Sequence, residues 1–330
     1  MKTRRPDNTT QRDPLAAIVE SLDLTGTVFL KADFTAPWAI TAHVTEEDCR
    51  PFMPLPRQVL AYHYVRRGQA IVSLGKTGGD TLGCVAQQGD ILLLPSNALH
   101  VLASEPGATP VSGDDLLLPA GNDGLARIVH GGGGEATSIL CGFMASGSGR
   151  LPLLDALPEL LVINIENSET QQWIEASVAM AARASSLDGA SGAAIESGLC
   201  RLLLIEALRA YLAQNPEPTG WLAGMAHPRI SLALAAIHAN LSQPPCVEDL
   251  AREAGMSRSS FVEVFSQTMG AAPATYMLAR RLETAAALLR ETELSTAEIA
   301  YRVGYDAPEA FSRAFKRATG HSPSAWRRSA

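Results

Sequence analysis

Two stretches of this 330-residue chain repeat one pattern: VEDLAREAGMSRSSFVEVFSQTMG at residues 247–270 and TAEIAYRVGYDAPEAFSRAFKRATG at residues 296–320. Matching residues extend a little beyond both stretches, and they are Ala251, Gly255, Phe261, Phe265, Gly270, Pro273 and Tyr276 in the first copy and Ala300, Gly304, Phe311, Phe315, Gly320, Pro323 and Trp326 in the second. The offset is 49 residues up to the first glycine and 50 after it, which indicates one residue inserted in the second turn. Chance does not easily match seven restrictive positions, so one supersecondary unit is duplicated.

Each copy has the features of two short helices joined by a tight turn. In the first, Gly255 permits the turn and Ser257 can cap a second helix. In the second copy, Ser295 with Glu298 has capping-box spacing, and Asp306 with Glu309 repeats that spacing after the turn. We therefore predict helix-turn-helix motifs at 247–269 and 296–318, in which the second helix can enter the major groove of DNA.

The residues between the copies predict a helix that joins them. Thr275 to Arg290 has good helix formers with an apolar stripe, and its 16 or so residues would span about 24 Å. Such a spacer could hold two recognition helices in successive major grooves, about 34 Å apart. Upstream, an apolar stripe of Ile230, Leu234, Ile237 and Leu241 predicts a helix that closes the core of the first half. An ordinary helical bundle with a solvated basic face is the alternative, and the duplicated turns, caps and aromatic pairs disfavour it.

Residues 227–327 resemble the DNA-binding domain of the AraC/XylS family of transcription regulators. The resemblance rests on ordered motifs: Gly255-Met256-Ser257, Arg281-Leu282 with Leu288-Leu289, Ala300 with Val303-Gly304-Tyr305, Phe311 to Lys316, and Gly320-His321-Ser322-Pro323 with Trp326-Arg327. It implies a DNA-contacting set of Ser257, Arg258, Ser259, Val262, Glu263, Pro308, Glu309, Ser312, Arg313, Lys316 and Arg317. It also implies RNA polymerase as a partner.

Glu263 departs from the family pattern, because relatives often carry Arg or Gln at this position. A carboxylate there could accept a hydrogen bond from cytosine N4, or it could simply weaken the attraction of phosphates. Both interpretations stay open.

The charge of the chain divides unevenly. The net charge is −7, yet residues 227–330 hold 12 Lys/Arg against 10 Asp/Glu, whereas residues 1–226 hold 15 against 24. The C-terminal part is therefore weakly basic at +2 and the remainder carries −9. A charge of +2 is small for a DNA-binding domain, so specific contacts and dimerisation must supply much of the affinity.

Cysteine usage and hydropathy indicate the compartment. The five cysteines are dispersed, odd in number and without a C-x-x-C pair, which favours a reducing compartment and argues against a zinc knuckle. No apolar run reaches membrane length, and residues 1–12 are polar, without a signal-peptide core. We expect a disordered tail at 1–12 and a cytoplasmic protein without membrane contact.

The N-terminal half has short β-branched or apolar runs separated by Gly, Pro, Asn and Asp, a pattern typical of a β-sandwich or barrel. The predicted strands are 27–32, 38–44, 59–66, 69–74, 90–94, 98–103 and 137–144, after a helix at 15–24. A glycine run at 131–134 lacks the context of a phosphate loop, and a flexible loop is expected.

One segment restricts the choice among the β folds. Gly89 to His100 resembles the second cupin motif, with Asn97 where Gly is usual, and the tract from His63 to Gly68 resembles a degenerate first motif. Residues 13–165 are thus similar to the cupin sensor domain of one branch of the AraC family, which implies His100 at the mouth of a barrel.

Metal cupins bind their ion through three or four ligands, and this sequence lacks the second His and the Glu of the first motif. His43, His63 and His100 are weak metal candidates, against hydrogen-bonded strand or loop histidines. We therefore expect no cofactor and no enzymatic activity. A metal-dependent cupin enzyme with an appended DNA-binding domain is the alternative function.

The cysteines suggest a redox hypothesis. A thiol that senses oxidants has a lowered pKa, which requires a cation or a helix N-terminus nearby. Cys246 precedes the helix at Val247 and Cys49 adjoins Arg50, while Cys84 and Cys141 are candidate core residues. His63, His100, Cys49, Cys84, Cys141 and Cys246 are therefore the candidate sensing residues, for a small molecule or an oxidant.

Residues 171–184 and 193–213 are predicted helices. The second is apolar on more than one face, so one face is expected to cover the barrel and the other to meet a partner subunit in a homodimer or to stay within the chain.

The sequence predicts an α+β protein with a cupin-like β-barrel or sandwich, a helical connector and an all-α domain with two helix-turn-helix motifs. The expected divisions are 13–165 for the sensor, 166–215 for the connector and dimerisation helix, 216–226 for the linker and 227–330 for the DNA-binding domain. Such a chain would be a sequence-specific transcription regulator, with activation favoured over repression. A DNA-bound architectural protein without a sensor is a further alternative.

Overall fold

The structure is a computed structural model that describes residues 13–22, 24–50, 56–75, 83–119, 125–146, 151–164, 190–239, 243 and 245–328. The predicted tail at 1–12 and the predicted helix at 171–184 lie outside the described residues. Within them, strands occupy the N-terminal half and helices the C-terminal half, so the α+β class is confirmed.

Two mixed sheets form the N-terminal half. Their strands are β1 Thr25–Thr35, β2 Ala39–Ala42, β3 Gln58–Arg67, β4 Gln69–Leu74, β5 Cys84–Gln87, β6 Asp90–Leu94, β7 His100–Ala103, β8 Val111–Ser112, β9 Ala126–Gly131, β10 Ala136–Ser146 and β11 Leu161–Asn164. The six-stranded sheet has the order β11-β6-β3-β10-β1-β9, and the five-stranded sheet has the order β5-β4-β7-β2-β8. No pairing between described strands closes the two sheets into one barrel, so the sandwich alternative is correct.

Apolar side chains on the central strands hold the sheets together. Phe34, Val65, Leu102 and Ile139 belong to one fully buried cluster, and Phe34 stacks on Trp38 at 4.1 Å between ring centroids. At about 25 cal/mol per Å² of apolar surface, burial of each such side chain stabilises the fold by about 2–3 kcal/mol.

The described helices are α1 Pro14–Ser21, α2 Glu46–Cys49, α3 Pro152–Asp155, α4 Ala190–Gln214, α5 Gly220–Ala226, α6 Ile230–Ala239, α7 Val247–Glu253, α8 Arg258–Met269, α9 Pro273–Glu291, α10 Thr296–Arg302, α11 Pro308–Thr319 and α12 Pro323–Arg328. A short 3-10 helix spans Asp114–Leu116. One capping prediction is wrong: the N-cap of α11 is Ala307, without a side-chain cap, and Pro308 starts the helix. The inserted residue in this turn moves Asp306 off the cap position.

The glycine run is fixed by the backbone beside it. Gly132 and Gly134 donate backbone hydrogen bonds to the carbonyls of Thr35 and Ala36, both at 2.8 Å. A Cβ on Gly131 would lie 1.8 Å from the Thr35 oxygen, so only glycine fits there. The expected flexible loop is instead a hydrogen-bonded connection between β9 and β10.

Helix α1 connects the two halves of the molecule. It packs against α6 and α4, and its Leu15, Ile18 and Val19 are buried in one apolar cluster that also contains Ile230 and Phe261. The core of the first helix-turn-helix unit is thus continuous with that of the N-terminal half. The core of the second unit, around Phe311, is a separate cluster.

The predicted dual-faced helix is α4. It packs on β1 and β11 and also on α1, and its Leu203, Leu204 and Leu208 are buried within the chain. Both of its apolar faces therefore have partners in the same subunit.

Candidate nucleic-acid interface and sensor cavity

The first helix-turn-helix unit consists of α7, a turn and α8. Gly255 takes a left-handed φ of +61° in the turn, and the backbone N–H of Met256 donates to the Ala251 carbonyl at 2.8 Å. Ser257 caps α8 by accepting from the Ser260 N–H at 3.3 Å. Phe261 lies in the core, and the opposite side of α8 faces outward.

The second unit repeats these contacts with α10 and α11. Gly304 has a φ of +78°, and Tyr305 N–H donates to the Ala300 carbonyl at 2.9 Å, as Met256 does to Ala251. The predicted capping box of Ser295 and Glu298 is present at the start of α10. The duplication found in the sequence is therefore also present in the structure.

The predicted DNA-contacting residues lie along the outer sides of α8 and α11. Half-buried members are Val262, Pro308 and Ser312, and exposed members are Ser257, Arg258, Ser259, Glu263, Glu309, Arg313, Lys316 and Arg317. Arg258 forms an ion pair with Glu248 of α7, an arrangement that competes with a phosphate contact. Val262 packs partly against the core.

The outer stripes of the two recognition helices differ in charge. On α8, the outer stripe consists of positions that recur every three or four residues, and apart from Arg258 its one charged side chain is Glu263. The Glu263 carboxylate accepts a hydrogen bond from Gln267 at 3.5 Å. The matching stripe on α11 carries Arg313, Lys316 and Arg317, with one anion, Glu309. With Arg258 left out because it is paired with Glu248, the stripes have net charges of −1 and +2, which predicts that attraction to the phosphate backbone comes mainly from the second unit.

Helix α9 sets the separation of the two units. Its 19 residues span about 28 Å. Arg281 of α9 donates to the carbonyls of Val303 and Gly304 in the second turn, and its guanidinium lies 4.3 Å from the centre of the Tyr305 ring. This residue fixes the second unit on α9, although the sequence indicated only a linker position for it.

Two residues of α12 complete the attachment. Trp326 Nε1 donates to the Ala286 carbonyl at 3.2 Å, and Arg327 Nε donates to the Leu289 carbonyl at 3.0 Å. Arg290 lies 4.2 Å from the centre of the Trp326 ring. Leu289 lies in the last turn of α9, where a cation such as Arg327 stabilises the carbonyl groups.

A buried polar network links α5, α6 and α9 beside the first unit. Trp221 Nε1 donates to the Tyr276 hydroxyl oxygen at 2.9 Å. The Tyr276 hydroxyl lies 2.9 Å from His238 Nε2. Burial, together with Arg280, lowers the pKa of His238 to about 4 and keeps the ring neutral, so Nε2 can accept the hydroxyl proton. The sequence pattern contained no signal for this network.

The N-terminal half encloses a cavity between its two sheets. The lining comes from β1, β2, β3, β7, β9 and β10, from α2 and from the 3-10 segment. Asn97, in the loop before β7, takes the left-handed conformation expected of the family's glycine, with φ of +51°. Its amide donates to the Val44 carbonyl at 2.7 Å and so joins the two loops at the edge of the cavity.

Three predicted sensing residues meet at the bottom of this cavity. His100 Nδ1 lies 2.8 Å from the Ala98 carbonyl, which can only accept, so this nitrogen carries the proton. His63 Nε2 then donates to His100 Nε2 at 2.7 Å, and Cys141 donates its thiol proton to His63 Nδ1 at 3.0 Å. Burial lowers the pKa of His100 to about 4 and that of His63 well below its ordinary value. His100 is fully buried rather than at the mouth.

The weak metal candidates do not form a ligand set. His43 Nε2 lies 3.4 Å from Asn97 Nδ2, whereas His63 and His100 bond to each other and to separate partners. Among the residues that the structure describes, no cluster of three His, Cys, Asp or Glu side chains has the geometry to hold a metal ion.

The other sensing candidates lie on separate elements. Cys49 ends α2, Cys84 begins β5 and Cys246 precedes α7. Burial with Asp48 and Glu46 raises the pKa of Cys49 to about 11, and burial raises the pKa of Cys84 and, to about 12, that of Cys141. A hydrogen bond to Asp249 raises the pKa of exposed Cys246. None of these four thiols has the lowered pKa of a reactive thiolate.

The two exposed recognition helices on one spacer, beside a domain with an internal cavity, define a DNA-binding regulator of the helix-turn-helix class. A family model described as Cupin matches residues 13–213, and one described as Helix-turn-helix domain matches residues 250–329. The first match covers more than half of the chain.

Relatives agree with these matches. The HTH-type transcriptional regulator AlkR of Acinetobacter baylyi is 30% identical over 96% of this chain and 99% of its own. A putative AraC-like transcription regulator of Streptomyces lividans is 34% identical over 82% and 87%. The solved C-terminal domain of AraT, a response regulator from Geobacillus stearothermophilus, is 36% identical over 32% of this chain and 87% of its own, with a TM-score of 0.31. The chain belongs to the AraC family of transcription regulators, with a cupin N-terminal domain.

Among the described helices, none combines the length and the apolar character that a membrane crossing requires.

Proposed function

We propose that this regulator activates transcription when a small molecule enters the cavity between the two sheets. The signal would change how α8 and α11 meet their DNA site. The observation that carries this proposal is the shared apolar cluster of α1, α4, α6 and the first helix-turn-helix unit, because a change in the sheet domain reaches a recognition helix through continuous packing. Ligand binding must favour one of two arrangements, since equal affinity for both shifts nothing.

The direction of regulation and the partners belong to the same proposal. RclR of Escherichia coli, named an RCS-specific HTH-type transcriptional activator, is 26% identical over 82% of this chain, which supports activation here and hence contact with RNA polymerase. We infer a homodimer, because the weak positive charge of the DNA-binding half gains affinity from two linked sites. The domain boundaries expected at residues 165, 215 and 226, together with a cytoplasmic location, are part of the same proposal.

We further propose that the cupin domain senses and does not catalyse. The internally bonded histidines and thiol offer no set of three metal ligands among the described residues. Metal analysis of the purified chain, with an activity screen, tests this: a stoichiometric ion with turnover would support the enzyme alternative instead.

Redox sensing is the second candidate signal, and the raised pKa values of four thiols disfavour it. A variant with Cys49, Cys84, Cys200 and Cys246 replaced by Ser, which leaves Cys141 in the cavity lining, should keep its response if a small molecule is the signal. Loss of response in a folded variant would favour an oxidant.

The direct test is footprinting of the protein on its own upstream DNA, with and without candidate signals. Arg313→Ala should weaken specific binding by about 1–3 kcal/mol if Arg313 contacts a base edge. Arg66→Ala, an exposed cation on β3 of the sheet domain, is the matched control and should bind as wild type does. Unchanged affinity in Arg313→Ala would remove this residue from the interface.

A further inference from the structure

Arg258, the first residue of the recognition helix α8, is bound through one side of its guanidinium. Its Nε lies 2.5 Å from Oε1 of Glu248. Among the residues that the structure describes, no ion pair is formed by its two terminal nitrogens, Nη1 and Nη2. The Arg258 side chain is 64% exposed, so the fork made by these two nitrogens is open to a partner outside the chain.

Glu248, the carboxylate in this ion pair, is itself held at the start of α7. It lies in the first turn of that helix, where the helix dipole favours an anion. A hydrogen bond from its own backbone N–H, and then one from Arg258, lower the pKa of Glu248. The ion pair therefore joins the N-terminal ends of the two helices of the first unit, and it restricts the rotation of the Arg258 side chain.

The second helix-turn-helix unit has neither member of this ion pair. The offset of 49 residues before the turn places Ala297 at the position of Glu248, and the offset of 50 after the turn places Pro308 at that of Arg258. Building a helix-turn-helix unit therefore does not require the ion pair. A role in recognition by the first unit accounts for its presence there.

We propose that Glu248 is a positioning residue that orients Arg258 to read a guanine in the major groove. The N-terminal residues of a recognition helix face the base edges, and an arginine binds guanine by donating from its fork to O6 and N7. With Nε held by Glu248, Nη1 and Nη2 remain available for these two acceptors. This inference deepens the DNA recognition on which the proposed function rests.

Two physical effects favour a base contact over a phosphate contact for Arg258. A side chain that is fixed before binding loses less conformational freedom on binding, which stabilises the complex only where the fixed geometry matches the partner. A guanidinium that is already paired with a carboxylate is also less attracted to phosphates than a free one. The first unit would thus supply base recognition, whereas the α11 stripe supplies attraction to the backbone.

The test first locates the base that Arg258 contacts. Duplexes are selected from random sequence by the full wild-type chain and by Arg258→Gln. We expect one guanine position that wild type prefers and Arg258→Gln does not. The loss in preference should be about 5- to 150-fold, which is the discrimination given by one bidentate pair.

The role of Glu248 is then measured on two duplexes that differ only at this base pair. Glu248→Ala removes the acceptor of the Nε hydrogen bond and should reduce the guanine preference by about 2- to 12-fold, the cost of immobilising one long side chain. Glu248→Gln keeps an oxygen at the same reach and should retain most of the preference. Glu253→Ala, which removes the same charge from another exposed position of α7, is the matched control and should keep the wild-type preference. Fluorescence anisotropy gives the affinities, and circular dichroism establishes that each variant is folded.

Three results would overturn the inference. If Arg258→Gln keeps every guanine preference of wild type, Arg258 does not read a base. If Glu248→Ala and Glu253→Ala change the preference equally, the charge of α7 and not the orientation of Arg258 is responsible. If Glu248→Ala keeps the preference and raises the affinity for both duplexes more than Glu253→Ala does, Glu248 only withholds Arg258 from phosphates.

The same selection separates this inference from the proposed function. A wild-type chain that selects no sequence would overturn both. A wild-type preference for a site that Glu248→Ala leaves unchanged would overturn the role of Glu248 alone.

Discussion

The charge difference between the two recognition helices predicts where the salt dependence of DNA binding originates. The perturbation is the triple variant Arg313→Gln, Lys316→Gln, Arg317→Gln, which removes the three cations of the α11 stripe. All three side chains are exposed, and within the described part of the chain none forms an ion pair. They are therefore available to contact phosphates.

The magnitude follows from counterion release. Each phosphate neutralised on duplex DNA contributes about 0.9 to the slope of log affinity against log salt concentration. Three contacts give a slope change of about 2.7. Between 50 and 200 mM salt, a four-fold rise, that change corresponds to about a 40-fold difference in how far affinity falls.

The assay is fluorescence anisotropy of a labelled duplex at several salt concentrations. The matched control is Arg66→Gln with Arg67→Gln, two exposed cations on β3, and its slope should equal that of wild type. If the triple variant binds more weakly but keeps the wild-type slope, the cations act by positioning α11 and not by contact with phosphates. If the control loses slope as well, net charge and not the α11 stripe determines the salt dependence.

Three further predictions concern single side chains. Glu263→Gln should lower affinity for a selected site by about 1–3 kcal/mol if the carboxylate accepts from cytosine N4, and should raise it if the carboxylate only repels phosphates; selection from random duplexes by both proteins decides between these. His238 stays neutral in the folded chain with a pKa of about 4, against an ordinary 6.5, so the unfolded chain takes up a proton first as pH falls. Stability present above pH 6.5 is then lost towards pH 4, by about 3 kcal/mol, and acid titration of urea unfolding should show less of this loss in His238→Gln. Gly142→Ala should destabilise by about 1–3 kcal/mol, because its Cβ would lie 2.2 Å from the Tyr62 side chain, whereas Gly198→Ala, with open space around its Cβ, should be neutral or slightly stabilising; urea midpoints compare the pair.

How much of the fold could be predicted from sequence depended on position within each sheet. Seven predicted strands are all present, with end shifts of a few residues, because central strands bury long apolar runs such as β6 and β10. The four strands that sequence patterns missed are β5, β8, β9 and β11, and each is the edge of its sheet. An edge strand has one neighbour, so fewer of its positions need apolar or β-branched residues. The pattern is correspondingly weak.

Some parts of the candidate site could also be predicted from the sequence, whereas others could not. The helix-turn-helix units followed from local signals, since a glycine turn, caps and a periodic face lie within about 25 residues of each other. The contact of Arg281 with Val303 and Gly304, the Tyr276 network and the His63, His100 and Cys141 chain all join distant elements. No spacing rule encodes such contacts, because they depend on how the elements pack.

The two helix-turn-helix units differ in how their cores are connected to the sheet domain. The first shares an apolar cluster with α1 and α4, so a displacement of α1 acts on α8 through side chains in contact. The second has its own core and is attached through α9, by Arg281 at its turn and by Trp326 and Arg327 beyond it. Through the described residues, a signal in the cavity would therefore reach α11 by moving α9 as a rigid helix. Since α11 carries the positive stripe, the unit that we expect to attract DNA most strongly is the one whose core is separate from that of the sheet domain. Loosening the Arg281 contacts should weaken that coupling before it changes the salt dependence of binding.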